Sequence, residues 1–505
     1  MKLIKTHELT PSRIAAMGET EKLWIYNGLD CCVTSEVLDC IASQLDNQTR
    51  ATYEFSKALQ APVLEMKLRG ILVDQEKRDE VLKEYRRDLA DTSESLIEII
   101  REGIGIYDFN WRSPLQLKRL FYETLQIPPV KKRNAKGEYV PSVDRDALER
   151  IDSYFLAQPI VSHLLRLRDL GKKISVLETD IDTDGRMRTT YNIAGTETGR
   201  FSSSLSEFGT GTNLQNIEEL LRSVFIADEG MKLAYIDLEQ AESRLVGAIE
   251  WNLFGDSNYL DACESGDLHT AVCRLAWPGL KWTGDLIRDR EIAEAPFYRQ
   301  HSYRHMAKVL GHGTNYNGKP YTMAKHTKLD TKSIAEFQSK YFAAFPAHQR
   351  WHANVASRLL TDGNLTTLTG RRRWFFGRRD DDATIREAIA YDPQGSVGDI
   401  LNRGMLQVWR ANICNLLLQI HDAILVLYPE RNEDCIVPEV LKLIQVPIKL
   451  LHNRHFLIPA EAKTGWNWSK ETKDNPDGLR TWHGTDDRKR QRQAPSKLDR
   501  IFYSL

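Results

Sequence analysis

The spacing of apolar residues predicts that the first part of the chain is helical. Between residues 35 and 100, apolar positions recur every three or four residues amid dense charge, which is the pattern of amphipathic helices. Residues 111–180 predict short helices joined by loops, and Ser113 followed by Pro114 is typical of a helix N-terminus. The polar segment 131–142, which contains glycine and proline, predicts an exposed loop.

Strands are predicted in the later part of the chain, where acidic residues stand at their ends. Residues 186–195 favour a strand, and the apolar run that ends at Asp237 leads directly into a helix-like segment. Two further apolar runs flank His421 and Asp422, which predicts a β-hairpin with these two residues at its turn. Helices and strands together predict a mixed α/β (α+β) fold class.

Composition narrows the class of protein only slightly. A length of 505 residues predicts roughly two to four structural units, and 41% hydrophobic and 28% charged residues are ordinary values. A formal net charge of −1 does not exclude nucleic acid, because binding needs only a local basic surface. No apolar run approaches the ~18 residues of a membrane span and no signal-peptide core is present, so we expect a cytoplasmic protein without a membrane partner. The seven scattered cysteines are expected to be free thiols.

Asp237 and Asp422 are the first candidates for chemistry. An aspartate near a turn most often bonds nearby backbone N–H groups, and for either residue alone that structural explanation remains an equal alternative. Each of them, however, stands at the exposed end of an apolar strand. Two carboxylates brought together repel unless cations lie between them, and Mg²⁺ prefers one or two protein carboxylates together with substrate phosphates.

A basic stripe is predicted on the helix-like segment that starts near residue 303. Arg304, Lys308, His312 and Tyr316 recur every four residues, so their side chains share one face of a helix. A solvated charged face is the ordinary explanation of such a pattern. The aromatic residue at the end of the stripe favours instead a site that meets phosphates at one end and a base at the other.

These segments resemble the motifs of family A DNA polymerases, the family of bacterial DNA polymerase I, and they follow the family's order. The three main motifs are matched by DLEQAESRLVG (237–247), YRHMAKVLGHGTNYNGKP (303–320) and QIHDAILVLYP (419–429). Further similar segments are TETGRFSS (196–203), TNLQNI (212–217), GDLHTAVC (266–273), LTGRRRWF (368–375) and QGSVGDILNRGM (394–405). The resemblance covers about residues 50–470.

The resemblance implies a right-hand polymerase fold, with an antiparallel palm sheet and largely helical fingers and thumb. The implied regions are 1–50, a remnant of a 3′–5′ exonuclease domain; 51–190, the thumb and adjoining palm segments; 191–255, the palm with the first motif; 256–365, the fingers; 366–470, the palm with the third motif; and 471–505, a flexible tail. The implied activity is template-directed addition of dNTPs to a primer 3′-hydroxyl in DNA replication.

A two-metal mechanism is also implied by the resemblance. Asp237 and Asp422 would bridge two Mg²⁺ ions, with the backbone carbonyl of Leu238 assisting and Mn²⁺ as an alternative ion. One ion would activate the primer 3′-hydroxyl, and the other would bind the triphosphate and stabilise the pyrophosphate. The family often has a glutamate directly after the second aspartate, where this chain has Ala423. This departure removes one carboxylate, and we still expect an active enzyme.

The resemblance assigns nucleotide contacts to the basic stripe. Arg304 and Lys308 would hold the β- and γ-phosphates, and Lys308 would also donate a proton to the pyrophosphate. Tyr316 would lie near the templating base and close over the nascent pair. His312 stands where relatives have Phe or Tyr, at a position that governs how strictly a 3′-deoxy sugar is rejected.

Selection of the sugar is assigned to Glu242, whose counterpart in the family excludes a ribose 2′-hydroxyl and so selects dNTPs. Gln240 and His269 are further nucleotide-binding candidates. Glu242 argues against the first alternative, a single-subunit RNA polymerase. A repair or translesion polymerase and an inactive DNA-binding accessory protein of a replisome remain open alternatives.

Six residues match family positions that contact primer–template DNA. They are Arg200, Asn213, Gln215, Arg386, Gln394 and His421. Donors at these positions would sense minor-groove acceptors that every correct base pair presents, and so would check pairing geometry without reading sequence. For Asn213 and Gln215 alone, turn capping remains the default explanation, and a further family contact is in doubt because this chain has Ala390 there.

Tyr26 and Asp30 have the Tyr-x-x-x-Asp spacing of the last motif of the family's 3′–5′ exonuclease domain. The other acidic motifs of that domain would lie upstream, where fewer than 26 residues are present. We therefore expect a vestige, or the junction with a separate exonuclease polypeptide, and no autonomous proofreading. A phage or mobile-element replisome is the suggested setting.

The polar tail from residue 471 onward is expected to be disordered apart from its last residues. Its basic run 488–492 is either solvated or adds nonspecific DNA affinity. Leu498, Ile501 and Phe502 resemble the short apolar peptides that dock polymerases onto a sliding clamp. A chance apolar tail is the competing hypothesis.

Overall fold

The computed structural model describes residues 10–134, 136–264, 266–298, 301–327 and 329–484. Its helices are α1 Pro11–Ala15, α2 Glu19–Ala42, α3 Asn47–Ala58, α4 Gln60–Arg69, α5 Gln75–Ile104, α6 Pro114–Lys118, α7 Arg145–Ile151, α8 Gln158–Leu177, α9 Ala241–Phe254, α10 Asn258–Glu264, α11 Leu268–Ala276, α12 Leu286–Ala293, α13 Tyr303–Asn315, α14 Pro320–Thr327, α15 Thr331–Ala344, α16 Ala347–Asp362, α17 Asp382–Ala411 and α18 Glu433–Ile444. Its strands are β1 Ile71–Val73, β2 Lys131–Arg133, β3 Tyr139–Pro141, β4 Arg186–Met187, β5 Thr190–Asn192, β6 Ser202–Ser204, β7 Phe225–Ile226, β8 Met231–Leu238, β9 Pro296–Tyr298, β10 His301–Ser302, β11 Asn364–Thr366, β12 Arg372–Trp374, β13 Asn415–Ile420, β14 Ala423–Pro429, β15 Ile448–Lys449, β16 His455–Phe456, β17 Ala460–Gly465 and β18 Arg480–Thr481.

An antiparallel sheet with the strand order β13-β14-β8-β17-β18 forms the centre of the fold. Strands β8, β13 and β14 are rich in apolar residues because both faces of this sheet are covered. Ala234 and Ile236 of β8 pack in a core shared with α9, α17 and α18, whereas Leu233 packs on the opposite face with residues of β1 and β7. The acidic end of β8 is therefore held by a scaffold that is buried on both sides.

Beside the sheet, helices α5 and α8 form a long pair with a core of its own. Leu96 and Ile100 of α5 are buried together with Leu164 and Leu167 of α8. Apolar residues three and four positions apart lie on one face of each helix, so the periodicity of the sequence accounts for this contact. This pair lies in the region expected to be the thumb.

Helices α11, α13, α15 and α16 form a second helical region, which coincides with the expected fingers. Leu310, Tyr341 and Trp351 are fully buried in its core. A buried amide also contributes, since Asn315 accepts a hydrogen bond from the Tyr341 hydroxyl at 2.8 Å and donates one to the Tyr259 hydroxyl at 2.9 Å. The core fixes the position of α13, which carries the basic stripe.

Several local predictions are confirmed. The helical pattern of residues 35–100 is present, interrupted by the short strand β1. Ser113 caps α6 by accepting a hydrogen bond from the Gln116 backbone N–H at 3.4 Å. All seven cysteines lie among the described residues and are free. In the part of the chain that the structure describes, no helix combines the length and the apolar character needed to cross a membrane.

Three local expectations are wrong. Residues 131–142 are not simply a loop, because β2 and β3 pair within them. Residues 186–195 do not form one strand, since β4 and β5 belong to different sheets. The flexible tail does not begin at residue 471, because β18 pairs with β17 at the edge of the central sheet. In each case short polar strands satisfy their backbone groups by pairing, without any apolar pattern to reveal them.

Candidate active site

The predicted hairpin is present, and it places Asp422 in its turn beside the end of the strand that carries Asp237. His421 and Asp422 form the two-residue connection between β13 and β14, and His421 takes a left-handed conformation with φ of 53°. Asp237, near the end of β8, lies directly opposite Ala423. The Leu238 backbone N–H donates to the Asp422 carbonyl at 3.2 Å, which ties the turn to β8.

A buried hydrogen-bond network supports this turn from below. The Gln419 side-chain amide donates to the His421 carbonyl at 3.0 Å, and the Gln215 amide donates to Gln419 Oε1 at 2.8 Å. The Tyr191 hydroxyl donates to the Gln419 carbonyl at 3.0 Å. Gln419 and Tyr191 did not stand out in the sequence as functional residues. A glutamine inside an apolar strand is a signal that could have drawn attention to Gln419, because a buried amide needs partners.

The charges of the two aspartates suit a cation. Burial, and then the neighbouring Asp422 carboxylate, raise the pKa of Asp237 to about 7. Burial likewise raises the pKa of Asp422. Nearby, Gln240 lies in a left-handed conformation, and its Oε1 atom is buried without a hydrogen-bond partner. Oxygen donors in a buried, mutually repelling arrangement fit a hard cation such as Mg²⁺.

The described residues contain no group of three His, Cys, Asp or Glu side chains arranged to hold a metal ion by themselves. A metal ion at the Asp237–Asp422 pair would therefore also need backbone oxygens, water or substrate oxygens. This is the usual situation of Mg²⁺, which keeps several waters and binds through one or two carboxylates plus phosphates.

Helix α13 carries the basic stripe as predicted, apart from its last member. Ser302 caps the helix by accepting from the His305 backbone N–H at 3.1 Å. Arg304, Lys308 and His312 lie within α13, whereas Tyr316 follows its last residue and serves as the C-cap. Burial lowers the pKa of His312, which favours its neutral form.

The guanidinium of Arg304 is paired with carboxylates. Its Nε and Nη2 atoms donate to the two oxygens of Asp267, both at 2.9 Å, and Glu294 lies 3.5 Å from Nη1. Arg304 and Lys308 also line a cavity of about 540 Å³ at the start of α13, together with His301 and His305. A guanidinium that holds a carboxylate with two parallel bonds has the geometry to hold a phosphate in the same way.

Asp267 connects this region to a second helix of the fingers. It caps α11, accepting from the Thr270 backbone N–H at 3.3 Å, and α11 carries His269. Burial, and then the charge of Arg304, lower the pKa of His269 to about 3, so this imidazole is neutral. The ring centroids of His269 and His312 lie 6.1 Å apart, which places two of the predicted nucleotide-binding residues side by side.

Glu242 joins a helix of the palm to residues at the end of α13 in the fingers. Its carboxylate accepts from Arg200 Nη2 and from the Tyr316 hydroxyl, each at 2.5 Å, and lies 3.9 Å from the His312 ring. Burial alone would raise the pKa of Glu242, but the charge of Arg200 and the two hydrogen bonds outweigh it and lower that pKa. The structure thus brings together three residues that the sequence predicts to bind the nucleotide, Glu242, His312 and Tyr316, with Arg200, which is predicted to contact DNA.

The other predicted DNA contacts lie in different surroundings, and not all of them are near Glu242. His421 is exposed at the hairpin turn, and the Gln394 carbonyl accepts from Arg200 Nε at 3.2 Å. Asn213 caps a 3₁₀ turn by accepting from the Gln215 N–H at 3.1 Å, so turn capping is confirmed for it. Arg386 pairs with Asp382 on the first turn of α17, and no contact among the described residues links it to Glu242 or the aspartates.

The predicted sites at the two ends lie apart from this cluster. Tyr26 and Asp30 are exposed on α2, a helix in which no residue is buried. Leu498, Ile501 and Phe502, together with the basic run 488–492, lie outside the described residues.

Fold and site together define the class of this protein, which has a right-hand polymerase fold with an antiparallel palm sheet and helical fingers and thumb. It is similar to a solved structure described as the POL domain of Pol1 from M. smegmatis in complex with DNA primer-template and dNTP. The sequence identity is 25% and the TM-score 0.65, over 81% of this chain and 69% of that chain.

The family is shown by sequence as well. The family model described as DNA polymerase family A matches residues 79–470, and the chain belongs to this family. Similar proteins include DNA polymerase I of Bacillus caldotenax, 29% identical over 436 residues that make up 80% of this chain and 45% of the relative. DNA polymerase I of Deinococcus radiodurans is 27% identical over 456 residues, 86% of this chain and 44% of the relative. The chain thus spans less than half the length of these curated relatives.

Proposed function

We propose that the chain is a DNA-directed DNA polymerase, which adds dNTPs to the 3′-hydroxyl of a primer paired with template DNA during replication. The observation that carries the proposal is the meeting of two oppositely charged surfaces. Asp237 and Asp422 supply acidic oxygens at the end of the central sheet, and the hydrogen bond between Glu242 and Tyr316 brings α13 against it. A nucleoside triphosphate with its metal ions needs both charges.

The palm supplies an all-oxygen donor set. Asp237, Asp422 and the Leu238 carbonyl would hold two Mg²⁺ ions, with Mn²⁺ as an alternative. The chemistry that such ions supply is a lowered pKa for the primer 3′-hydroxyl and charge compensation for the leaving pyrophosphate. The chain's own contribution is to hold Asp237 on β8 and Asp422 in the adjoining hairpin turn, which Gln419 fixes.

The fingers would bind the triphosphate by exchanging partners. Arg304 would release Asp267 and take phosphate oxygens in the same two-bond geometry, while Lys308 would bind the same group and donate a proton to pyrophosphate. His269 and His312 would contact the nucleotide as neutral groups. Gln240, with its unsatisfied oxygen, would complete the pocket.

Sugar and base selection would fall to the cluster around Glu242. The carboxylate would exclude a ribose 2′-hydroxyl. Tyr316 would give up its hydrogen bond to Glu242 and lie against the templating base. Arg200, Gln394 and His421 would then contact the duplex. Gln215 would reach DNA only after giving up its bonds to Gln419. Asn213 and Arg386 are proposed as more distant DNA contacts.

Primer extension with Mg²⁺ tests the proposal directly. The purified chain should extend a primer with dNTPs, and Asp422→Ala should abolish extension. Asp79→Ala, which removes an exposed carboxylate from α5, is the matched control and should behave as wild type. Incorporation of NTPs in preference to dNTPs would favour an RNA polymerase instead. Duplex binding without extension by the wild-type chain would indicate an inactive accessory protein.

We propose further that α2 is a remnant of a 3′–5′ exonuclease domain and the docking site of a separate exonuclease polypeptide in a phage-type replisome. Large apolar side chains are exposed along this helix, including Leu23, Trp24 and Val33. Such a surface is typical of a protein–protein interface. The chain alone would then leave a mismatched primer end intact, and its Mg²⁺-dependent removal by the pure chain would overturn this part of the proposal.

A sliding clamp is the second proposed partner, through Leu498, Ile501 and Phe502. Deletion of residues 496–505 should shorten the extension products only when a cognate clamp is present. An equal loss without the clamp would mean that these residues serve the polymerase itself.

A further inference from the structure

Asp237 has a different neighbour on each side in the central sheet. On β14 the residue directly opposite is Ala423, and on β17 the residue directly opposite is Glu461. Residues that face each other across antiparallel strands project to the same side of the sheet, with Cβ atoms about 4.5–5.5 Å apart. Asp237 therefore has no carboxylate opposite it on β14, but it has one opposite it on β17.

Glu461 is a costly residue to place there without a compensating charge. Like charges directly opposite each other destabilise a sheet, and Asp237 is already close to Asp422. Lys463, two residues further along β17 and so on the same face, has its Nζ 3.6 Å from Glu461 Oε2. The Thr481 hydroxyl of β18 donates to Glu461 Oε1 at 3.4 Å. Glu461 thus has one cation and one hydroxyl as partners.

Both side chains remain accessible to a ligand. The Glu461 side chain is 34% exposed and that of Lys463 is 32% exposed, so neither is locked inside the core. Glu461 lies opposite Asp237 in the sheet register, and Lys463 lies on the same face of β17, so both residues stand beside the palm carboxylates.

We propose that Glu461, opposite Asp237 on β17, contributes a carboxylate to the surroundings of the palm metal site, and that Lys463 is its counter-ion while no cation is bound. The inference rests on the proposed polymerase function. Because no three acidic side chains among the described residues converge on one point, Glu461 acts through metal-bound water rather than as a direct ligand. It is a positioning residue, and its effect is on cation affinity.

Mn²⁺ binding to the full chain, followed by electron paramagnetic resonance of the free ion, tests this without depending on turnover. Glu461→Gln should weaken Mn²⁺ binding about tenfold, as loss of a water-binding carboxylate does in other metal sites. Glu461→Asp, which keeps the charge, should recover most of that loss. Lys463→Met should change affinity in the opposite direction, tightening binding about threefold because a competing cation is removed.

The matched control is Glu439→Gln, which removes a half-exposed carboxylate that pairs with Lys442 at 3.4 Å on α18. It should bind Mn²⁺ like wild type. Equal Mn²⁺ affinity in Glu461→Gln and Glu439→Gln would overturn the inference, as would weaker binding in Lys463→Met. A lowered thermal unfolding temperature with unchanged Mn²⁺ affinity would assign Glu461 a purely structural part in the sheet, which also overturns it.

Failure of the inference is distinguishable from failure of the proposed function. Asp237→Asn should lose Mn²⁺ binding and primer extension whether or not Glu461 contributes. If Asp237→Asn retains both, the palm is not a metal site and the proposed function itself fails.

Discussion

In the proposed function the palm edge and the fingers helix would face the same nucleotide, but the two regions differ in how their charged side chains are paired in its absence. At the palm, Asp237 and Asp422 repel each other, and burial holds the pKa of Asp237 at about 7. On the fingers, Arg304 already has carboxylate partners within the protein, of which Asp267 makes two bonds. The palm is therefore incomplete without a cation, whereas the fingers must give up a partner to bind an anion.

Because of this difference, we expect substitutions in the two halves of the site to have different effects. Neither palm carboxylate can replace the other, so removal of one should mainly lower the rate of the chemical step. A fingers residue is in competition with an internal partner, so substitutions there should change affinity, and in a direction that depends on which partner is removed.

The largest effect is expected at the palm. Asp237→Asn keeps the size of the side chain and removes the charge, and should lower the single-turnover rate of extension about 1000-fold, the upper range for loss of one transition-state contact. Affinity for the primer–template should change little, because the phosphate-binding residues are untouched. Rapid-quench measurements with saturating dNTP and DNA check this, with Asp79→Asn as the exposed control. A rate within a few-fold of wild type would contradict the expectation that the remaining palm carboxylate cannot replace Asp237.

A smaller effect of either sign is expected on the fingers. Arg304→Ala should raise the KM for dNTP about 10- to 100-fold, which corresponds to hydrogen bonds between charged groups. Asp267→Asn should lower that KM about threefold, because asparagine still caps α11 but competes less with phosphate. Steady-state kinetics with both variants check the pair.

The direction found for Asp267→Asn decides what Asp267 does. A raised KM would show that Asp267 orients Arg304 for phosphate and does not compete with it. The fingers would then be pre-organised, and the contrast with the palm would be lost.

At the contact between the two regions, Glu242→Gln should lower discrimination between dNTPs and NTPs about tenfold, in the range of one or two lost polar interactions. The variant keeps the shape of the side chain but weakens its bonds to Arg200 and Tyr316. The ratio of kcat/KM for matched dNTP and NTP pairs measures it. Tyr316→Phe is the companion variant, since it removes one of these bonds and leaves the carboxylate. If Tyr316→Phe relaxes sugar selection as much as Glu242→Gln, orientation by Tyr316 accounts for the selectivity.

How much of this arrangement can be predicted from sequence depends on the distance along the chain over which each contact forms. The hairpin around Asp422 and the strand ending at Asp237 follow from local apolar runs, and α13 follows from four-residue spacing. The pairing of Glu461 with Asp237 does not, because β17 is short, half polar and more than 200 residues away in the sequence. Register between distant strands is set by packing of the whole sheet.

The same limit applies to the partners of Arg304. Its basic stripe was visible in the sequence, but the bond to Asp267 joins two helices whose relative placement depends on the core around Tyr341 and Leu310. Sequence periodicity gives the face of a helix and not the residue opposite it. For this reason the residues of the nucleotide cluster could be predicted, and their present partners could not.

The smallest expected effect is on stability. A histidine of the fingers and an aspartate of α17 should make the free energy of unfolding depend on pH in opposite directions. His352 of α16 lies in the fingers, where its Nε2 contacts the Asn315 carbonyl at 2.8 Å, and burial lowers its pKa to about 4. The unfolded chain, with an ordinary histidine pKa of about 6.5, binds the proton first, so stability is lost as pH falls from about 6.5 to 4.

The stability contributed by Asp392 of α17 depends on pH in the opposite direction. Burial raises its pKa to about 6, so the stability it contributes as a protonated group is lost as pH rises from about 4 to 6.

Thermal unfolding between pH 4 and 7 distinguishes these contributions. His352→Gln keeps a donor for the Asn315 carbonyl and should remove about 1 to 2 kcal/mol of the loss on acidification, a discounted value for a partly exposed ring. Asp392→Asn should instead remove part of the loss on raising the pH. His455→Gln, which replaces an exposed residue of β16, should leave the profile unchanged. If His352→Gln and His455→Gln have the same profile, the His352 imidazole has the same pKa in the folded and unfolded chains, and the fingers do not favour its neutral form.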